Sequence, residues 1–113
     1  MESLPIILRT YDLYKGVVEI TNHSEKRWRY SLGHSLEQSI LDCLQELIMA
    51  KNAPKPLKAG YLIRAGSHQE IILLKLRLFL ELKIANATNI FKAQELTMEI
   101  GRMLGGWLRS QSS

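Results

Sequence analysis

The sequence predicts an all-α protein, an antiparallel up-and-down four-helix bundle, on three observations. Four segments repeat apolar residues at steps of three and four. The breaks between them are short, polar or proline-bearing, and short connections favour antiparallel neighbours. The stretch that alternates like a strand, Leu74 to Ile84, has no second strand candidate to pair with. As a strand its backbone groups would go unsatisfied.

The first helix is placed at about residues 4–21, with Ile7, Tyr11, Tyr14 and Val18 as its apolar stripe. NHSEKRWRY, residues 22–30, is a polar break. The second helix covers about 32–51. Leu36, Ile40, Cys43, Leu47 and Ala50 form its seam, with Glu37, Asp42 and Glu46 elsewhere on the wheel. Ser35 and Gln38 fit a capping box at its start, or the helix begins a turn earlier. NAPKP, residues 52–56, stops it, and Pro56 suits the first turn of the next helix.

The third helix runs from about 56 to 85 and carries two apolar stripes. Leu62, Gly66, Leu73, Leu76, Leu80 and Ile84 form one; Ile71, Leu74, Leu78, Leu82 and Ala85 lie on roughly the opposite side. A helix apolar on two sides is buried on two sides. The economical reading is a homo-oligomer, with one stripe in the bundle core and Ile71, Leu74, Leu78 and Leu82 between subunits. A groove for another protein is the alternative. ANATN, residues 85–89, is a turn with Thr88 or Asn89 as N-cap. The fourth helix covers about 90–110, with Ala93, Leu96, Ile100, Met103 and Trp107 as its stripe.

Composition agrees with one domain over residues 1–113. The chain is 46% hydrophobic and 23% charged, ordinary for a globular protein. No apolar run nears the roughly 20 residues of a membrane span. The start, MESLPIILRTYD, is too short and polar for a secretory signal. Cys43 is the single cysteine, so no internal disulfide forms. A cytoplasmic protein with no membrane partner is expected.

No catalytic grouping stands out. His23, His34 and His68 lack metal-ligand spacing with Cys43 or paired carboxylates. Cys43, on an apolar stripe, reads as a buried small hydrophobe. Gly101, Gly105 and Gly106 lie within a helical pattern and lack the strand and Lys-Ser/Thr of a phosphate loop; close helix approach explains them better. No enzyme activity, metal or cofactor is expected.

What remains is charge. The net charge is +4. Residues 51–83 hold seven Lys or Arg against Glu70 and Glu81, so the rest of the chain sums to slightly negative. Such asymmetry points to an anionic partner or to a solvated helix face. Arg64, His68 and Lys75 share one side of the third helix, while Lys51, Lys55 and Lys58 cluster at its junction with the second. Lys26, Arg27 and Arg29 surround Trp28 in the first break. Trp28 either stacks on an unpaired base or plugs the bundle end. An acidic face for a protein partner is expected from Glu37, Asp42 and Glu46 on the second helix or from Glu95 and Glu99 on the fourth.

Three stretches carry a family resemblance: YSLGHSLEQSILDCLQELIMA, AGYLIRAGSHQEIILLKLRL and EIGRMLGGWLRS. The chain, from roughly Tyr11 to Leu108, resembles a family of small four-helix bundles. That family includes the accessory variability determinant (Avd) proteins of diversity-generating retroelements and the proteins encoded in ribosomal-RNA intervening sequences. Gly101-Arg102-Met103-Leu104 followed by Trp107 is the most telling part, and Ile48-Met49-Ala50-Lys51 leans toward the retroelement branch. The resemblance implies a ring-like homo-oligomer, a pentamer, with a basic surface. It implies binding of RNA or DNA and of the element's reverse transcriptase, without catalysis, in mutagenic complementary-DNA synthesis from template RNA. It also adds Arg77, beside Lys75, to the nucleic-acid-binding candidates. The intervening-sequence branch implies instead a structural or protein-interaction bundle.

Overall fold

The computed structural model describes residues 3–112. In chain order the elements are α1 (Ser3–Asn22), α2 (Lys26–Trp28), a π-helical segment (Arg29–Gly33), α3 (His34–Asn52), α4 (Lys55–Glu81) and α5 (Ala87–Ser110). The four long helices form a bundle in the cyclic order α1–α3–α4–α5, so the α1/α3 and α4/α5 faces lie opposite one another. No strand occurs among the described residues. The Leu74–Ile84 stretch is helical as far as Glu81.

The break at 22–30 is mostly helical, contrary to the sequence reading. Asn22 closes α1, and helix resumes at Lys26, running through the π-helical segment into α3. Ser35 is therefore an interior residue and caps nothing. The wide π turn has a packing cause. Gly33 is buried, and a Cβ there would sit 3.0 Å from the Trp28 carbonyl and 3.1 Å from Thr21 Cγ2. Thr21 Oγ1 donates to Glu37 across the same joint.

Helix α4 ends at Glu81 rather than near residue 85. Lys83 takes φ 54°. Its amide donates to Leu80 O (3.1 Å) and that of Ile84 to Phe79 O (3.0 Å), closing a left-handed C-terminal cap. Asn86, not Thr88 or Asn89, caps α5: its Oδ1 accepts from the amides of Thr88 (2.9 Å) and Asn89 (3.3 Å).

The α3 seam is buried as predicted: Leu36, Ile40, Cys43, Leu47 and Ala50. The α1 stripe is rotated by one residue. Ile6, Thr10, Leu13, Val17 and Ile20 face the core, and Tyr11 is 49% exposed. Thr10 is tolerated inside because its hydroxyl donates to Ile6 O at 2.8 Å. On α4 the core face is Leu62, Ala65, Gln69, Ile72, Leu76 and Phe79, so of the predicted core stripe only Leu62 and Leu76 lie on α4's fully buried face. On α5, Thr97 and Leu104 are buried where Leu96 and Met103 were expected; those two pack at the margin.

One polar contact fixes α4 against α5. Gln69 is buried, and its Nε2 donates to Thr97 O at 3.0 Å. It lies against Gly101, where a Cβ would stand 2.7 Å from that nitrogen. Gly101 thus serves close approach, as the sequence suggests.

Candidate nucleic-acid interface

Side-chain contacts set the antiparallel register: Lys58 meets the end of α3, Gln69 meets Thr97, and Arg9 meets Glu99. The starts of α1 and α4 therefore share one end of the bundle with the last turns of α3 and α5. This is the α3–α4 end; the π-helical segment lies at the other. Among the described residues, the half of the bundle toward the α3–α4 end holds seven cations against Asp12, Glu46 and Glu99. The half toward the π-helical end holds eight cations against seven carboxylates. The positive excess is thus concentrated at one end, about +4 against +1.

The candidate cations divide by what their side chains already hold. Lys51 and Lys55 are exposed at the α3–α4 turn, with no side-chain partner among the described residues. Lys58 is committed: its Nζ donates to Ala50 O (2.7 Å) and Lys51 O (3.0 Å), capping the orphan carbonyls of α3. Arg64 pairs with Glu46 at 3.1 Å and lies over the Tyr61 ring at 4.7 Å. Lys75 is partly buried, and its Nζ donates to Ser39 Oγ (2.6 Å) and Ser35 O (3.1 Å). It fastens α4 to α3, so as a free phosphate contact it is corrected. Arg77 is exposed and pairs loosely with Glu81 (3.4 Å) one turn on.

At the π-helical end, Lys26 is exposed and unpaired among the described residues. Arg27 pairs with Glu25 (3.1 Å) and lies 4.6 Å over the Trp28 ring. Arg29 turns inward and donates to the carbonyls of Asn22 (3.1 Å) and Ser24 (3.3 Å), closing the end of α1. Trp28 is half-buried against the core, which favours the plug over the stacking platform. The aromatic left outside is Tyr30, 70% exposed.

Two contributors to the basic end escape segment-wise counting. Arg102 and Arg109 are exposed on the last turns of α5, and the antiparallel return places them at the level of the first half of α4. Arg109 folds back so that its guanidinium lies beside Gly105, where a Cβ would be 3.3 Å away.

Three of the five acidic candidates are already engaged across helices. Glu46 is paired with Arg64, Glu99 with Arg9 (3.5 Å), and Glu37 accepts from Thr21.

Apart from Tyr30, the exposed large apolar residues among the described residues fall into two groups. On α4 and α5 they are Leu57 in the first turn, Ile63 (61% exposed), Ile71, Leu74 (60%), Phe91 and Met98, with Leu82 at the helix end. Of the four predicted interface residues, Leu78 is half-buried and the other three are open. Ile71, Leu74 and Met98 line a groove of about 690 Å³ between the two helices. On α1 and α3 the exposed residues are Leu4, Leu8, Tyr11, Leu41, Ile48 and Met49, and all but Met49 make a second face that the sequence reading did not single out.

Cys43 offers no chemistry at this surface. It is buried, its Sγ donates to Ala65 O at 3.5 Å, and desolvation together with the nearby Glu46 charge pushes its pKa up to about 12.

The family model described as bAvd-like matches residues 5–111. A search of curated proteins finds no match. The match takes in every candidate residue above.

Proposed function

The chain belongs to the bAvd-like family, a family of accessory proteins, and from that premise we propose that it is the nucleic-acid-binding accessory subunit of a diversity-generating retroelement. It partners the element's reverse transcriptase in mutagenic complementary-DNA synthesis from template RNA, in the cytoplasm. The observation that carries the reading is the charge excess at the α3–α4 end, where Lys51, Lys55, Arg102 and Arg109 stand unpaired among the described residues. Phosphates recognise such a surface without base-reading contacts, so binding is salt-dependent and tolerant of sequence. The protein's task is to hold and present the template while the polymerase does the chemistry. A polymerase working on RNA is itself basic where it meets RNA, so the two proteins associate best with nucleic acid between them.

Assembly follows from the two apolar faces. Left in water, each half-exposed Leu or Ile forgoes on the order of 1 kcal/mol. The α4/α5 groove of one subunit receives the α1/α3 face of the next, a heterologous contact that closes into a ring. Following the family resemblance, the ring is a pentamer. Ring closure multiplies the phosphate contacts that one subunit offers.

The test is titration of the purified oligomer against template RNA over a range of salt, followed by capture of the polymerase with and without nuclease. Log affinity falls linearly with log salt, by about 0.7 to 0.9 per phosphate neutralised. The double substitution Arg102→Ala and Arg109→Ala reduces the slope by about 1.4 to 1.8 per subunit engaged. No binding at low salt would leave the protein-interaction bundle of the intervening-sequence kind as the better reading.

A further inference from the structure

Tyr30 is the most exposed large apolar side chain among the described residues, at 70%. It stands on the π-helical segment, where disorder does not explain its exposure. Gly33 packs that segment against Thr21 and the Trp28 carbonyl. Ser31 Oγ donates to Arg27 O at 2.6 Å, and Arg29 bonds two carbonyls at the end of α1. A rigid seat holds an open aromatic ring. Two exposed cations precede it on the same helical stretch: Lys26 lies four residues before Tyr30, and Arg27 three residues before it. Arg27 lies over the Trp28 ring, and among the described residues the carboxylate of Glu25 is its one ion-pair partner.

Resting on the nucleic-acid reading above, we propose that Tyr30 is a stacking platform for an unpaired base, with Lys26 and Arg27 contacting the flanking phosphates, so that this end of the bundle selects single-stranded over duplex nucleic acid. The physical reason is complementary. Every base has a π-face, so an open aromatic ring is tolerant of sequence, but it reaches only a base that is not already stacked and paired. Arg27 leaving Glu25 for a phosphate exchanges one exposed ion pair for another, at little cost. Toward the α3–α4 end the partly open ring of Tyr11 (49% exposed) already carries the Lys15 ammonium 5.2 Å from its centroid, so that end offers charge but a less open ring. The bundle is 46 Å long, so substitutions at the two ends act independently.

The experiment compares a short single-stranded RNA with the duplex of the same sequence, by fluorescence anisotropy, using wild type, Tyr30→Phe, Tyr30→Leu and Tyr30→Ala. Light scattering reports the oligomer of each. Tyr30→Ala and Tyr30→Leu weaken single-strand binding about five-fold or more, the size of a lost base–aromatic stack. They leave duplex affinity, salt slope and oligomer mass unchanged, and Tyr30→Phe binds as wild type does. If Tyr30→Ala binds single strands like wild type, or loses both nucleic acids equally, the inference is overturned while the nucleic-acid reading stands. A change of oligomer mass in Tyr30→Ala assigns the ring to a subunit contact and overturns it too. Wild type that binds neither RNA at low salt brings down the function reading itself.

Discussion

Two glycines with the same helical setting should respond to alanine with opposite signs. At Gly16, on α1, a new Cβ meets no heavy atom within 4 Å. Only the helix preference remains, and Gly16→Ala stabilises by about 1 kcal/mol. At Gly101 the same methyl arrives 2.7 Å from Gln69 Nε2 and 3.1 Å from its Cδ. The amide must retreat by roughly 0.7 Å to reach ordinary contact. A retreat along its bond to Thr97 O, now 3.0 Å, takes that bond beyond hydrogen-bonding range. A buried amide nitrogen left without an acceptor costs about 1–3 kcal/mol, which outweighs the propensity gain by up to about 2 kcal/mol. For a domain of this size each kcal/mol moves Tm by about 4–6 °C. Thermal denaturation at one fixed protein concentration separates the two variants, since melting of an oligomer depends on concentration. The cycle with Gln69→Ala adds a control: with the amide gone, Gly101→Ala stabilises as Gly16→Ala does. If Gly101→Ala raises Tm in the wild-type background as much as Gly16→Ala, the account of how Gln69 locks α4 to α5 is wrong.

Three further outcomes are expected. Lys83→Gly relieves a left-handed residue (φ 54°) and stabilises by about 1 kcal/mol, read by urea denaturation; an unchanged midpoint refutes the strain. Cys43 resists a thiol reagent at pH 8 in the native protein, because its pKa is raised to about 12. Its folded pKa exceeds the unfolded value of 9.0, so its contribution to stability is full below pH 9 and lost as pH rises toward 12; rapid labelling at pH 8 contradicts this. Leu74→Glu, at a side chain already 60% exposed, leaves helicity intact and lowers the oligomer mass toward 13.0 kDa in light scattering; an unaltered mass sinks the α4/α5 face as an interface.

How far the sequence carries depends on how singular each pattern is. The α3 seam is legible because its polar residues leave one reading of the wheel. On α4 leucines occur on every side, and the core is marked by residues that pattern counting passes over, Ala65 and Gln69. Gln69 goes inside only because Thr97 O is there to accept from it, a fact about another helix. On α1, Thr10 is buried by bonding its own backbone, so counting tyrosines sets the stripe one residue off. The π-helical segment is invisible for a like reason: its polar sequence reads as loop, and the joint that permits it is between Gly33 and Thr21. Charges suffer most. Lys58 and Lys75 look like surface cations, yet they cap and fasten α3, and Arg102 and Arg109 join the basic end only through the antiparallel return.

Assembly and charge are tied together by symmetry. In the proposed ring each contact joins unlike faces, α1/α3 to α4/α5, and the closed result is cyclic. Cyclic symmetry leaves every subunit pointing the same way along the ring axis. With the apolar sides consumed by contacts, the bundle ends make up the two faces of the ring. All α3–α4 ends then lie on one face, where the larger positive excess of each subunit adds to that of its neighbours. All copies of Tyr30 would lie on the other. A two-fold dimer through like faces would alternate the ends and dilute the field. Such a ring would convert a modest charge bias in one bundle into a polar particle, with one face for phosphates and one for unpaired bases. The Leu74→Glu and Leu74→Gln subunits together separate the two levels. Leu74→Glu takes one positive unit from the +4 of each bundle and loses the summed field as well, so its RNA affinity falls and its salt slope shrinks to that of a single subunit, while Leu74→Gln, which adds no charge, isolates the loss of the field.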